Sequence, residues 1–342
     1  MLKKLLALLI ITVFITFLSV FYIQSDIINE KEDTIIISLT NGIPALNITY
    51  LKEKNDKNLT ENKYKFLFFD NFLEVLTQIA NNKTDIAFLP SNVAATLYNK
   101  TKGSIKVISI SSMENFYIVS KDITEKKIED FKYKSIYLLK RDNYIKHILE
   151  TIFKKNNLST ESDLNIEVLT NEEILANEMG SGKIEFIILD ELRYLDFVNL
   201  ERNCNHSTKY TKIFNLNKEW QRLNGNNIPI LCIVARKDFI EKNNNLLEKF
   251  LKDYNNSFND VNNDLIRTAN LSKEIIKIEP EVIKASIPNC NLVNISGDEM
   301  FNLINNFLKE IFLLNKKDLD KKIPNKDFYY NNFMIKKQNV TA

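Results

Sequence analysis

The feature that most constrains this chain is an internal repeat with a period of one hundred residues. Three short apolar runs, Thr34-Ile-Ile-Ile-Ser-Leu39, Lys65-Phe-Leu-Phe-Phe69 and Asp85-Ile-Ala-Phe-Leu89, have the length and composition of buried strands. The runs Lys134-Ser-Ile-Tyr-Leu-Leu139, Asn165-Ile-Glu-Val-Leu169 and Glu185-Phe-Ile-Ile-Leu189 follow in the same order, so that Phe66 to Phe69 lies over Ile166 to Leu169 and Asp85 to Leu89 over Glu185 to Leu189. Between them stand segments with helical spacing, such as Phe72, Val75, Leu76 and Ile79 in the first unit, with Tyr144 to Phe153 and Asn171 to Met179 in the second. Strand–helix–strand units of this kind form parallel sheets with right-handed crossovers. The expected fold class is therefore α/β, two lobes of parallel-rich sheets flanked by helices. A length of 342 residues with 44% hydrophobic content suffices for a core in each lobe.

Two further strand-like runs, Lys106 to Ile110 and Ile228 to Ala235, lie immediately before and after the second unit, where the chain would pass between lobes. The expected organisation is a first part of lobe one over 34–112, lobe two over 113–227, and a return to lobe one with C-terminal helices over 228–330. Apolar spacing from Asn244 to Ser257 predicts one of those helices; Ser296-Gly-Asp-Glu299 reads as a capping box opening another through Leu314. The charged segment beyond Lys316 is expected to wind over the surface, and residues 331–342 form a tail.

Residues Leu5 to Ile23 carry no charge and follow Lys3 and Lys4, the pattern of an export signal or an uncleaved anchor within residues 1–25, with the body outside the cytoplasmic membrane. The first cysteine is Cys204, so acylation of an N-terminal cysteine is not expected. Lys+Arg less Asp+Glu is 46 − 44 = +2, and Lys3 with Lys4 accounts for the excess. A balanced body argues against a nucleic-acid partner, which calls for surplus positive charge to displace counterions from phosphate. Cys204, Cys232 and Cys290 show no metal-ligand spacing, and neither a structural metal nor a cofactor is expected. Balanced charge and two closed lobes suggest a monomer.

In open α/β sheets ligands bind at the carboxyl ends of strands, where helix N-termini offer unpaired N–H groups. The candidate loops are Asn41, Gly42, Pro44 and Ala45; Pro90, Ser91 and Asn92; Ser112 and Asn115; Lys140, Arg141 and Asn143; and Asp190 with Glu191. Ordinary turn chemistry explains any one of them, with Ser91 or Asn92 as a helix cap, but their equivalent positions in the two units favour the set. Gly42→Val is expected to block a close approach there. Trp220, near the return crossover, is either a cleft aromatic or a surface helix residue. Gly180-Ser-Gly-Lys183 departs from a phosphate loop at Asn177 and Ile184 and reads as a helix C-cap. His147 and His206 are too far apart to suggest a catalytic pair, and Cys232 reads as a buried small hydrophobe.

Asn41-Gly-Ile-Pro-Ala45, Thr84-Asp-Ile-Ala-Phe-Leu-Pro-Ser-Asn-Val-Ala-Ala95, and Glu219-Trp220 running into Ile228-Pro229 resemble the substrate-binding components of ABC importers. Pro288-Asn-Cys-Asn-Leu-Val293 and Asp327-Phe-Tyr-Tyr330 add to the likeness, which spans roughly residues 34 to 330. The resemblance is to the type II periplasmic binding protein architecture, and within it to the nitrate/sulfonate/taurine and thiamine-precursor group. It implies capture of a small-molecule ligand outside the membrane, hinge closure and delivery to an ABC permease, without catalysis. Lys140-Arg-Asp142 and Asp190-Glu191 stand where relatives usually carry Gly/Ser or Pro, so the resemblance does not carry the ligand over. Lys140 and Arg141 suit an anion, whereas Asp190 and Glu191 suit an amine or a pyrimidine. A small-molecule enzyme on the same scaffold and an anchored ligand sensor are the alternative functions.

Overall fold

The computed structural model describes residues 34–121, 126–170, 174–203 and 209–330. The expectations for Leu5 to Ile23, Cys204, His206 and the tail beyond 330 fall outside those residues. Among the described residues no helix is long and apolar enough to cross a membrane.

Both repeat units fold as the periodicity predicts. The first runs β1 (Thr34–Thr40), α1 (Ile43–Asp56), β2 (Lys63–Phe69), α2 (Phe72–Ala80), β3 (Ile86–Pro90) and α3 (Ser91–Lys100). The second runs β6 (Ser135–Leu139), α4 (Lys146–Lys155), β7 (Asn165–Leu169), α5 (Leu175–Gly180), β8 (Phe186–Asp190) and α6 (Glu191–Asn203). In each unit the first strand pairs in parallel with the other two. β3 and β8 are buried at every position, as strands covered on both faces require. The helix-to-strand turns also correspond: Asn82 takes φ 55° and Gly182 φ 79°, the left-handed conformation that ends a helix. The Gly180–Lys183 segment is therefore a turn.

The strands at the crossovers complete the sheets. β4 (Ile105–Ser112) belongs to the first sheet and β5 (Phe116–Ser120) to the second, with only residues 113–115 between them. β9 (Thr211–Asn215) and α7 (Leu216–Asn224) end the second unit, and β10 (Leu231–Arg236) returns to the first sheet. β10 lies antiparallel to β3 as β5 lies antiparallel to β8. The orders are β11-β4-β10-β3-β1-β2 and β7-β6-β8-β5-β9, where β11 is Leu292–Ile295. β5, β9 and β11 had no counterpart in the periodicity, and β10 starts three residues later than the apolar run because Pro229 cannot donate to a ladder.

The C-terminal part comprises α8 (Lys237–Lys242), α9 (Asn244–Asn263), α10 (Leu265–Ile276), α11 (Pro280–Ser286) and α12 (Gly297–Leu314). α9 and α10 cover α1, but α11 lies against α6 and α12 against α4, so these helices touch both lobes rather than only the first. Ser296 is the N-cap of α12 yet makes no side-chain cap bond, and the expected capping box does not form. The segment after Lys316 is also not a loose surface strand. Leu319 and Phe328 are fully buried, Tyr98 and Phe328 have ring centroids 4.9 Å apart, and the Tyr330 N–H donates to the Val107 carbonyl at 2.8 Å.

Candidate functional site

A small cavity lies between the two sheets at the carboxyl ends of β1, β2 and β8 and beside the β4–β5 crossover. Its first wall is Thr40, Asn41, Gly42, Ile43 and Pro44, where β1 turns into α1, with Asp70, Asn71 and Phe72, where β2 turns into α2. The opposing wall is Asp142 and Tyr144 after β6, and Asp190, Leu192 and Arg193 at the start of α6; Glu114, in the crossover itself, completes the lining. The space open to a water-sized probe is about 30 Å³, and the pocket is partly open to solvent.

Local structure explains the first wall. Gly42 holds φ 152° and ψ −141°, a conformation open to glycine, and Pro44 starts α1 without a side-chain cap. α1 therefore begins without a capping side chain, and the Ala45 N–H donates to the Gly42 carbonyl at 2.9 Å. A Cβ on Gly42 would meet no protein atom within 4 Å, and at φ 152° a side chain there also strains the backbone. Asn71 caps α2, accepting from the Glu74 N–H at 3.1 Å while its amide donates to Glu74 Oε1 at 2.7 Å. The Asn41 amide donates to Asp70 Oδ1 at 3.1 Å, tying the two loops together.

The second wall is acidic and aromatic. Asp190 Oδ1 accepts the Arg193 N–H at 2.8 Å and so caps α6 while lining the cavity. The Tyr144 ring meets Phe72 edge-on, with centroids 5.4 Å apart, and Phe116 at 6.3 Å, so aromatic surface from both lobes meets at the cavity. Glu114 is only 3% exposed. Burial first, and then the neighbouring carboxylates Asp190 and Asp142, push its carboxyl well above the usual range.

Of the residues singled out in the sequence, the structure brings Asn41, Gly42, Pro44 and Asp190 to the cavity. The others take structural places. Ala45 is fully buried in the core behind the first wall. Pro90 is the N-cap of α3, and Ser91 donates to the Pro229 carbonyl at 2.6 Å, securing the return crossover. Asn92 is not that cap; its amide donates to the Tyr144 carbonyl at 3.3 Å, a direct link between lobes. Ser112 donates to the Cys290 carbonyl and Asn115 to the Asn289 carbonyl, anchoring the first crossover to the segment before β11. Lys140 and Asn143 are exposed on a 3-10 turn and do not line the cavity, and the Arg141 side chain lies outside the described residues. Glu191 is paired with Lys212, which sits over the rings of Tyr117 and Tyr194 at 4.3 and 4.6 Å. Trp220 corrects the expectation most clearly. It is neither a cleft aromatic nor a surface residue but fully buried, 5.6 Å from the Phe307 ring of α12. Cys232 is buried as expected, its thiol pushed up to about 12 by burial.

The lining residues outside the candidate loops are Thr40, Asp70, Asn71, Phe72, Tyr144, Leu192 and Arg193. Glu114 and Asp142 lie inside the candidate loops 111–115 and 140–143, where the sequence does not single out Glu114 by itself. Among the described residues no group of His, Cys, Asp and Glu is arranged to hold a metal ion.

Two α/β sheets joined by two crossovers, with the cavity between them, define the periplasmic-binding-protein fold. The profile of the NMT1/THI5-like family matches residues 68–264, more than half of the chain, and the chain belongs to that family. No curated protein matches the sequence significantly. Among solved structures, an ABC transporter from Parabacteroides distasonis superposes with a TM-score of 0.67 at 18% identity, covering 88% of this chain and 99% of that one. The periplasmic aliphatic sulphonate binding protein SsuA from Escherichia coli gives 0.66 at 12% identity, with 86% and 92% covered. The ligand-binding component of an ABC-type import system from Staphylococcus aureus gives 0.64 at 15%, with 89% and 98% covered. At these identities the likeness is one of fold.

Proposed function

We propose that this protein captures a small solute between its lobes outside the cytoplasmic membrane and hands it to the permease of an ABC importer. The observation that carries this reading is the cavity walled by both lobes and by the crossover residue Glu114. A site built from two bodies that share short hinges binds its ligand with full contact only when they close, so the ligand shifts the population toward the closed form. The division at residues 113–115 and Gly225–Ile230 supplies the hinges, with residues 34–112 and the segment from 228 moving against 113–227. The matching structures from P. distasonis, E. coli and S. aureus, described as transport or binding components, support this role. Binding is preferred to turnover because the matching structures are described as transport or binding components. Leu5 to Ile23 would direct export and either stay as an anchor or be removed, leaving a monomeric body. The test is native mass spectrometry of the exported protein, with thermal shift against the released small-molecule fraction. A retained solute that raises the melting temperature supports capture; a protein that neither retains nor is stabilised by any small molecule overturns it.

A further inference from the structure

We infer that closure of the lobes is coupled to a proton on Glu114: the cleft shuts over a neutral carboxyl and opens onto an ionised one, so that closing takes up a proton and is disfavoured as the pH rises. This rests on the reading of the cleft as a solute site that opens and closes.

Glu114 stands in the three residues that join the two sheets, and its neighbours there are held. The Met113 N–H donates to the Asn291 carbonyl at 3.0 Å, the Met113 carbonyl accepts the Asn217 and Asn291 amides at 3.1 and 2.9 Å, and the Asn115 amide donates to the Asn289 carbonyl at 3.0 Å. The Glu114 carboxyl is the exception. It lines the cavity, is 3% exposed and has no hydrogen-bond or ion-pair partner among the described residues. A carboxylate held away from water without a donor costs far more than a neutral carboxyl, so the closed form favours the protonated group. The remaining walls, 40–44 with 70–72 from the first lobe and Asp142, Tyr144 and Asp190 from the second, belong to bodies that part when the cleft opens. Their withdrawal lets water reach the carboxyl, which then ionises in the ordinary range.

The titratable and charged groups around Glu114 come from several elements. Asp142 lies in the turn after β6, Asp190 and Arg193 at the head of α6, Asp70 in the loop before α2, and Cys290 in the segment before β11. Arg141 shares the turn of Asp142, with its side chain outside the described residues. Asp142 and Asp190 have contacts of their own, the charge of Arg193 acts on Asp196, and Glu191, beside Cys290, is paired with Lys212. Burial is the largest influence on Glu114 and pushes its carboxyl well above the usual range; it acts whatever offsets the charge of the two aspartates. Below the ordinary carboxylate range both forms hold the proton and pH does not affect closure. Above it the open form loses its proton first, and the open-to-closed ratio rises by up to about tenfold per pH unit until the closed form ionises as well.

Pulsed electron resonance on the full-length protein without added solute, with spin labels at the exposed positions Leu73→Cys and Leu200→Cys and with Cys204→Ser, reads this ratio at pH 5.5, 7 and 8.5. The expected result is an open-to-closed ratio that rises at least about fivefold over this range, with a nearly flat profile in Glu114→Gln. Glu114→Met, also neutral and of similar length, serves where the amide disturbs folding. A ratio independent of pH overturns the inference and leaves lobe motion intact, as does a pH response that the neutral variants share with the parent. A single distance at every pH overturns the inference together with the motion. Whether a solute is retained decides capture separately.

Discussion

Glu114 shows how a single residue can set the conditions under which the empty molecule is stable. In the unfolded chain its carboxyl ionises in the ordinary range, while in the fold burial, then Asp190 and Asp142, hold it protonated to well above that range. Below the ordinary range both states are protonated and the residue has no net effect. As the pH rises, the unfolded chain ionises first, so the native state binds more protons and stability falls, by up to about 1.4 kcal/mol per pH unit, until the raised folded value is reached. The unliganded protein should therefore melt at lower temperature at pH 8 than at pH 5.5 by more than Glu114→Gln does, and Glu114→Gln should flatten this part of the profile. Parallel profiles for the two proteins, followed by calorimetry, would place Glu114 in a different environment. The sequence exposed the loop but not the residue. Ser112 and Asn115 stand out as hydrogen-bonding types, yet their bonds go to Cys290 and Asn289, and a carboxyl in the same turn faces the cleft only because the segment before β11 packs on the other side. Burial imposed by residues some 175 positions away leaves no local signal in one sequence.

At the scale of elements, α12 is the unexpected part. Trp220 of α7 packs on its Phe307, and Lys155 of α4 pairs with its Glu310 at 2.6 Å, so a C-terminal helix braces the second unit. The sequence marked the helix through a capping box that does not form, and a start signal says nothing of what the helix packs against. Removing the indole should cost about 3–5 kcal/mol, the range for emptying a large buried aromatic, and Trp220→Phe distinctly less; chemical denaturation measures both. Trp220 is also the only tryptophan in the chain. Its emission should be blue-shifted and poorly quenched by acrylamide, and strong quenching in the native protein would contradict the packing. A smaller effect belongs to α7 itself, whose N-cap Asn215 accepts the Lys218 N–H at 3.0 Å. Asn215→Ala should lower stability by about 1 kcal/mol without changing solute affinity, as cap removal does elsewhere. The repeat, by contrast, was legible strand by strand, because fully buried parallel strands are short continuous apolar runs that a fixed offset makes visible twice.

For the whole molecule, the two units are alike in topology but differ where they face each other. Pro90 ends β3 and Asp190 ends β8 at equivalent positions, so the same turn is neutral in one lobe and acidic in the other. The lining therefore carries one carboxyl from the first lobe, Asp70, and two from the second, Asp142 and Asp190. The Asn92–Tyr144 bond links the two lobes, which on the proposed reading fits a closed arrangement. If a solute enters by flexing at the crossovers 113–115 and Gly225–Ile230, an open form must be populated without ligand. The most direct measurement is the distance between lobes. Spin labels at Leu73→Cys on α2 and Leu200→Cys on α6, both exposed, with Cys204→Ser and the buried Cys232 and Cys290 left in place, allow pulsed electron resonance on the full-length protein. The account predicts a broad distribution without ligand that narrows to a single closed distance when the solute that co-purifies with the protein is added. An identical distribution with and without a bound solute would contradict it.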